Sequence, residues 1–220
     1  MHKTVQNLIN IQNLIKSKII ELEYKDKIPK IIAVSKTFKI NHISPLIDYG
    51  HIDYGENKVQ EAVEKWSDIK NKNKNIKLHL IGKLQTNKVK FAVKLFDFIH
   101  SLDSEKLAKK IAEEQIKQEV RPKIFIQLNI GNETQKSGVL KENLFEFYKF
   151  SKKIGLDIVG LMCIPPFDQN TSKYFSEMLD LNQKIKLKEL SMGMSSDFLN
   201  AIKYRSTYLR IGTNIFGKRV

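Results

Sequence analysis

The sequence is poor in most of the residues that announce a chemistry. One cysteine, Cys163, stands in 220 residues, which excludes an intrachain disulfide and a cysteine metal cluster. It lies in the apolar run Val159-Gly160-Leu161-Met162-Cys163-Ile164, where a buried structural thiol is expected rather than a nucleophile. The histidines His2, His42, His51, His79 and His100 show no H-E-x-x-H or other metal-ligand spacing, so no metal site is expected. Neither G-x-G-x-x-G nor the Walker pattern G-x-x-x-x-G-K-[ST] occurs. No run approaches the roughly eighteen apolar residues of a membrane helix. The N-terminus has no apolar core followed by a small-residue cleavage site. It also has no arginine and runs into Glu21 and Glu23, unlike a transit peptide. These absences leave a protein of the reducing cytoplasm, with no membrane partner.

Arginine is scarce too. It occurs only at 121, 205, 210 and 219, so 34 of the 38 basic residues are lysine. Base-edge readout and bidentate phosphate clamping favour arginine. The net charge of +14 therefore reads as a solvated, lysine-rich surface. It implies weak nonspecific attraction to polyanions at low salt, and no specific nucleic-acid partner.

What is present is a regular alternation. Short apolar runs predict strands at 31–35, 52–54, 77–81, 96–100, 123–130, 157–163, 189–191 and 207–211. Between them, helical periodicity covers 40–49, 56–68, 84–94, 103–118, 141–153, 169–187 and 195–203. An opening amphipathic helix at 3–24 carries Leu8, Ile11, Ile15, Ile19 and Leu22 on one face. Ser44-Pro45 marks an early helical turn, and Asp103 precedes Glu105 and Leu107 as a start signal. Gly50 and Gly155 stand where C-terminal caps are wanted. Eight strands alternating with helices predict a parallel sheet, and eight strands close a barrel. Without a linker, repeat or composition break, the expectation is one domain, 1–220. Its fold class is α/β, a single (β/α)8 TIM-type barrel with an extra N-terminal helix.

The run Ile31-Ile32-Ala33-Val34-Ser35-Lys36-Thr37 is a wholly apolar strand with one lysine at its exit. An ammonium there is costly without a partner, and burial lowers a lysine pKa. Lys36 either snorkels to water or serves as the neutral amine that a Schiff base with a carbonyl cofactor requires. Barrel ligands sit at the C-terminal strand ends, with phosphates favouring the loops after strands seven and eight. Those loops read Ser191-Met192-Gly193-Met194-Ser195-Ser196 and Arg210-Ile211-Gly212-Thr213-Asn214. Taken singly, each is an ordinary helix-capping sequence or a phosphate cradle of backbone N–H groups. Barrel closure brings strand eight about 4.8 Å from strand one, which sets the second loop beside Lys36. An amine and a phosphate site about one aromatic ring apart outline pyridoxal 5'-phosphate. Arg210, on strand eight between them, could point into the barrel mouth, and an arginine facing a pyridine nitrogen would keep it unprotonated and weaken the electron sink.

Several further segments stand in order along the chain: Gly55-Glu56-Asn57-Lys58-Val59-Gln60-Glu61, the stretch 79–88 beginning His79-Leu80-Ile81-Gly82-Lys83, Lys136-Ser137-Gly138 and Gly160-Leu161-Met162-Cys163-Ile164-Pro165. With the strand-one run and the two loops, they resemble the pyridoxal phosphate homeostasis protein family from residue 31 to 217. The resemblance implies a single-domain barrel similar to the N-terminal domain of bacterial alanine racemases. It makes Lys36 the Schiff-base lysine and matches Ser195, Gly212 and Thr213 to phosphate contacts, with Ser191 assisting or serving as a satisfied strand-end hydroxyl. It sets Arg210 at the pyridine nitrogen and Asn57 beside the ring. His79 would line the same mouth or be a core histidine; Lys136 would be a loop lysine or a second cofactor acceptor. Two departures stand out: Lys58 where the family commonly has tyrosine, and Tyr204-Arg205 in place of a usual glycine.

Racemisation needs acid and base groups on both faces of the substrate carbon. In the racemases that the resemblance invokes, one of them is a tyrosine from a second domain. A chain ending at Val220 is expected to lack that domain. The expected function is thus intracellular homeostasis of the vitamin B6 cofactor: binding, buffering and supplying pyridoxal 5'-phosphate to dependent apoenzymes, as a monomer or weak dimer without catalytic residues. The alternative is an amino-acid racemase or lyase that uses Lys36 as base.

Overall fold

The structure is a computed structural model that describes residues 1–25, 28–166 and 170–217. Its elements follow the predicted alternation: α1 (Lys3–Glu21), β1 (Lys30–Val34), α2 (Ile40–Asp48), β2 (Asp53–Glu56), α3 (Val59–Lys72), β3 (Lys77–Leu80), α4 (Val89–Leu95), β4 (Phe98–Leu102), α5 (Glu105–Lys117), β5 (Lys123–Leu128), α6 (Leu144–Lys153), β6 (Asp157–Cys163), α7 (Thr171–Lys184), β7 (Glu189–Met194), α8 (Phe198–Lys203), β8 (Tyr208–Ile211) and α9 (Thr213–Phe216). The strands form a closed parallel barrel in sequence order. At the seam, Ile31 is in register with Leu209, Ile32 with Arg210 and Ala33 with Ile211. The expected (β/α)8 barrel with an extra helix is therefore the observed fold.

Closure explains that extra helix. Strand β1 has no preceding barrel helix, so the seam would expose apolar strand faces. Helix α1 packs against α2, α8 and α9 over this gap, burying Leu8, Ile11 and Ile15. Asn7 Nδ2 donates to the Ile215 carbonyl at 2.9 Å and pins α1 to α9. No helix among the described residues is long and apolar enough to cross a membrane.

Local signals mostly act where the sequence puts them. Gly50 and Gly155 take φ of 94° and 84°. Each follows its helix with paired bonds back into the last turn, from Gly50 and His51 to Ile47 and Leu46, and from Gly155 and Leu156 to Lys152 and Ser151. Three expectations need correction. Ser44-Pro45 does not open its helix, which begins at Ile40 with Pro45 inside it. Pro45 has no N–H for the Asn41 carbonyl, and Ser44 Oγ donates there instead at 3.4 Å, which makes the interior proline tolerable. The start of α5 is capped by Ser104, whose side chain accepts from Leu107 N–H, not by Asp103. The helix expected from 195 begins only at Phe198, because Asp197 Oδ1 accepts from Met194 N–H and holds a turn first. The predicted start of the 169–187 helix falls outside the described residues; α7 runs from Thr171.

Where the resemblance expects glycine, Arg205 adopts φ 61°, a left-handed conformation costing a side-chain-bearing residue about 1–2 kcal/mol. Its guanidinium lies 3.6 Å from the Tyr24 ring centroid, a cation–π contact that offsets part of this strain.

Strand alternation separates two cores. Outward residues such as Ile31, Ala33, Leu78, Leu80, Ile99, Leu190, Leu209 and Ile211 meet the helices in one continuous apolar layer. Inside the barrel, Ile32, Phe98, Phe125, Met162 and Tyr208 form a second, smaller cluster. His79 stacks on Phe98 at 4.3 Å and His100 on Phe125 at 4.2 Å.

Candidate functional site

At the C-terminal ends of the strands, a cavity of about 440 Å³ is lined by Val34, Lys36, Asn57, Ile81, Ile164, Met194, Ser195, Ser196, Arg210, Gly212, Thr213 and Asn214. Six of the seven sequence-predicted site residues are in this set: Lys36, Asn57, Ser195, Arg210, Gly212 and Thr213. A larger cavity, about 660 Å³, opens at the opposite barrel end between Tyr24, Lys30, Arg205 and Thr207. It contains none of them and lies away from the face where this fold places ligand chemistry.

Lys36 follows β1 in a turn whose neighbours are clamped. Ser35 Oγ donates to Glu56 Oε1 at 2.7 Å, and Thr37 N–H donates to Glu61 Oε1 at 2.6 Å while Thr37 holds φ 68°. Lys65 Nζ ties the group together, donating to the Ser35 carbonyl at 2.9 Å, Glu56 at 3.0 Å and Glu61 at 3.1 Å. Trp66 Nε1 donates to the same Glu56 oxygen at 2.9 Å. Burial pushes the Glu61 carboxyl up, but the Thr37 N–H and Lys65 outweigh it and hold it below the usual carboxylate range. The Lys36 backbone is thus fixed on both sides by charge-assisted bonds.

The loops after β7 and β8 meet across the seam. The N–H groups of Gly212 and Asn214 converge on one oxygen, Ser195 Oγ, at 3.3 and 3.4 Å, and Asn214 Nδ2 donates to the Ser195 carbonyl at 2.9 Å. Ser195 caps no helix of its own loop, since α8 follows Asp197, but its hydroxyl serves the first turn of α9 through Asn214 N–H. The capping reading thus accounts for Ser195 across the seam and not for Thr213, the first residue of α9. These backbone N–H groups and the Ser195 and Thr213 hydroxyls line one side of the cavity, a set of donors suited to an anion.

Asn57 sits between β2 and α3 because Gly82 approaches its backbone closely. A Cβ at Gly82 would lie 2.3 Å from the Asn57 carbonyl oxygen, so no larger residue fits without displacing Asn57.

Arg210 points inward from β8 and is buried. Its Nη1 donates to the Ser191 carbonyl at 2.6 Å and to Ser191 Oγ at 2.7 Å, and its Nη2 donates to the Cys163 carbonyl at 2.8 Å. Burial lowers its pKa from the ordinary guanidinium value, which leaves it a cation near neutrality. Ser191 is the one predicted contact that the structure moves. It is fully buried beneath the cavity and holds Arg210, so its role is that of the strand-end hydroxyl. The inward parity of β7 puts its side chain inside the barrel, below the strand end.

His79 likewise does not reach the mouth; it lies inside the barrel, between Asp53 and His100. Lys136 is neither in the Lys36 cavity nor simply solvated. Its Nζ donates to the Pro165 carbonyl at 3.1 Å and pairs with Glu133, beside a neighbouring cleft with Lys83, Asp103 and Ser137. Cys163 is fully buried, and burial pushes its thiol up to about 12, as a structural thiol requires. Sequence reasoning missed Asn214, Ile81, Ile164 and the Glu56–Lys65–Glu61 clamp. Strand parity was the usable signal for the inward residues; the clamp, spanning β1 to α3, had none.

A family model described as alanine racemase, N-terminal domain, matches residues 15–220. The pyridoxal phosphate homeostasis protein of Aquifex aeolicus is 37% identical over 200 residues, covering 86% of this chain and 87% of that protein. Its namesake in Haemophilus influenzae is 36% identical over 224 residues, covering 97% and 94%. Among solved structures, PipY of Synechococcus elongatus with PLP bound superposes with a TM-score of 0.81 at 31% identity, over 92% of this chain and 100% of that one. An alanine racemase of Clostridium difficile, 15% identical, covers 99% of this chain and 57% of its own with a TM-score of 0.74, a likeness of fold.

Proposed function

The chain belongs to the pyridoxal phosphate homeostasis protein family, built on the alanine racemase N-terminal domain, and from that premise we propose that it binds pyridoxal 5'-phosphate at the Lys36 cavity and buffers or supplies it in the cytoplasm. The observation that carries this reading is the convergence, in one cavity, of an amine, an anion cradle and a buried guanidinium.

The residues fit the group. When bound, pyridoxal 5'-phosphate supplies an electrophilic aldehyde and an electron-accepting ring. Lys36 would be the amine that holds the aldehyde end covalently. The backbone N–H groups of Gly212 and Asn214, with the Ser195 and Thr213 hydroxyls, would hold the phosphate oxygens. Asn57 flanks the ring. Arg210, which cannot give up its proton near neutrality, would serve as the donor facing the ring nitrogen and so disfavour its protonation.

The reading includes no catalytic turnover. Among the described lining residues, Lys36 and Arg210 carry the ionisable side chains. A racemase needs acid and base on both faces of the substrate carbon, and Lys36 supplies one. The recipients are apoenzymes that need the cofactor, and the working unit is a monomer or weak dimer.

An absorbance spectrum of the purified, cofactor-loaded protein tests the reading. A Schiff-base band should appear, disappear on borohydride reduction and leave a pyridoxyl group on the Lys36 peptide. Lys36→Ala should have no reducible adduct. A pyridoxyl group mainly on Lys136 would overturn the assignment. Solvent deuterium entering the α-carbon of an amino acid at a catalytic rate, and only with Lys36 present, would make the protein an enzyme.

A further inference from the structure

The barrel interior holds a polar chain that meets the cavity only at Arg210. Its members are Asp53, His79, His100, Ser191 and Arg210, all buried. Asp53 Oδ1 lies 3.0 Å from His79 Nε2, His79 Nδ1 lies 3.0 Å from His100 Nε2, and His100 Nδ1 lies 2.9 Å from Ser191 Oγ. Ser191 Oγ accepts from Arg210 at 2.7 Å. These groups come from β2, β3, β4, β7 and β8, and link a carboxylate deep in the barrel to the guanidinium at the cavity.

One arrangement of protons fills every contact with both histidines neutral. Arg210 can only donate, so Ser191 Oγ accepts from it and its hydroxyl proton goes to His100 Nδ1. His100 then carries its proton on Nε2 and donates to His79 Nδ1, and His79 Nε2–H donates to Asp53. The reverse arrangement would turn a bare imidazole nitrogen toward the Asp53 carboxylate. Burial favours the neutral pair over an imidazolium at His79, the other arrangement that fills every contact. It lowers the pKa of each histidine, most strongly for His100, which also faces His79 and Arg210; Asp53 partly opposes the shift at His79. Stacking on Phe98 and Phe125 fixes the ring planes. The cluster is not a metal site, since no group of three ligands among the described residues could hold an ion.

The direction of the chain matters for Arg210. Its guanidinium has no carboxylate within ion-pair distance among the described residues. Its three observed bonds all go to neutral oxygens, and Asp197 acts on it from farther away. A buried cation needs compensation. Successive donors aligned from Arg210 toward Asp53 turn the negative end of every dipole to the guanidinium, and such chains polarise cooperatively. Of the five N–H donors of an arginine, three are used here. The other two have no partner among the described residues, and Arg210 lines the cavity.

We propose that Asp53, His79, His100 and Ser191 form a positioning relay that compensates the buried charge of Arg210 and orients its guanidinium toward the ring of the bound cofactor. This rests on the proposed reading of the cavity, and it adds four residues outside the cavity that set the electronic state of the ligand within it.

Two measurements test it separately. Nitrogen-15 NMR of the histidine side chains, on the full chain without cofactor, should find His79 and His100 neutral with the proton on Nε2. The chain loaded with pyridoxal 5'-phosphate should then be compared with His100→Phe, which keeps a ring on Phe125, and Asp53→Asn, which keeps an acceptor but removes the charge. Both should shift the absorption band and the pH at which it titrates, and release cofactor roughly threefold to tenfold faster, the effect of about one hydrogen bond. Borohydride should still fix the cofactor on Lys36 in both. A proton on His100 Nδ1 would overturn the relay while leaving cofactor binding intact. So would a parental spectrum, titration and release rate in both variants, including the case where only the melting temperature falls. Failure of the parent chain to take up cofactor would instead overturn the reading of the cavity, and the purpose of the relay with it.

Discussion

The barrel has two cores on either side of the same eight strands, and they obey different rules. The outer one, between strands and helices, is mostly apolar, with side chains such as Phe175, Met178, Leu107 and Ile111 meeting the outward strand residues, and the Glu56–Lys65 pair is set within it. Its members gain free energy in proportion to buried area, and substitutions that conserve volume are tolerated there. The inner one mixes five largely apolar residues with a hydrogen-bonded chain of polar and ionisable groups. Few replacements preserve that chain, because its interior members must donate on one side and accept on the other, between an Arg210 that only donates and an Asp53 carboxylate that only accepts. The outer core sets whether the protein folds, and the inner core sets what the cavity above it can do.

The largest stability effect is therefore expected in the outer core. Phe175→Ala, at a fully buried position on α7, should cost about 3–5 kcal/mol by denaturant titration, while the folded fraction binds cofactor as before. Loss of cofactor affinity in the folded fraction would break the division between the two cores. Thr213→Ala should do the reverse. It should weaken cofactor retention by about 1.5–3 kcal/mol, the contribution of a hydrogen bond to a charged group, with an unchanged melting temperature. Unchanged retention and a lower melting temperature would make Thr213 a structural residue only.

Stability should also depend on pH through the inner core. Burial lowers the folded-state pKa of His51, His79 and His100. Below about pH 6.5, the unfolded chain binds protons that the folded one excludes, so stability is complete above that pH and declines as pH falls through it. Each histidine that stays neutral adds at most about 1.4 kcal/mol per pH unit to the slope. His100→Phe should flatten the decline between pH 6.5 and 5, read from denaturant midpoints. An unchanged slope would mean that His100 is protonated in the fold. The smallest effect is expected outside both cores. Arg205→Gly relieves the left-handed backbone and loses the Tyr24 contact, so its net change in stability should stay within about 1 kcal/mol.

The fold was legible because its signals are local. Apolar strand runs, helical periodicity and the capping glycines Gly50 and Gly155 act within a few residues, and eight repeats of one pattern leave few closures open. Ser44-Pro45 misled because a neighbouring serine hydroxyl serves the carbonyl that proline leaves without a donor. The same locality made Lys36 and the loops at 195 and 210–214 readable, since each sits at a strand exit, where this fold places ligands.

Ser191, His79 and His100 were not readable in this way. Their strands could be found from the sequence, but which way each side chain points depends on where its strand begins, and a shift of one residue reverses it. Nor does sequence spacing reveal that residues 53, 79, 100, 191 and 210 meet. The sequence by itself determined eight strands, their order and the residue types at the barrel mouth, because burial and backbone preference act along the chain. Only the closed barrel decided that Ser191 serves Arg210, that two histidines share one proton path and that Lys65 braces the turn of Lys36. Each of those contacts joins different strands or helices, and its energy exists only once the barrel has closed around it.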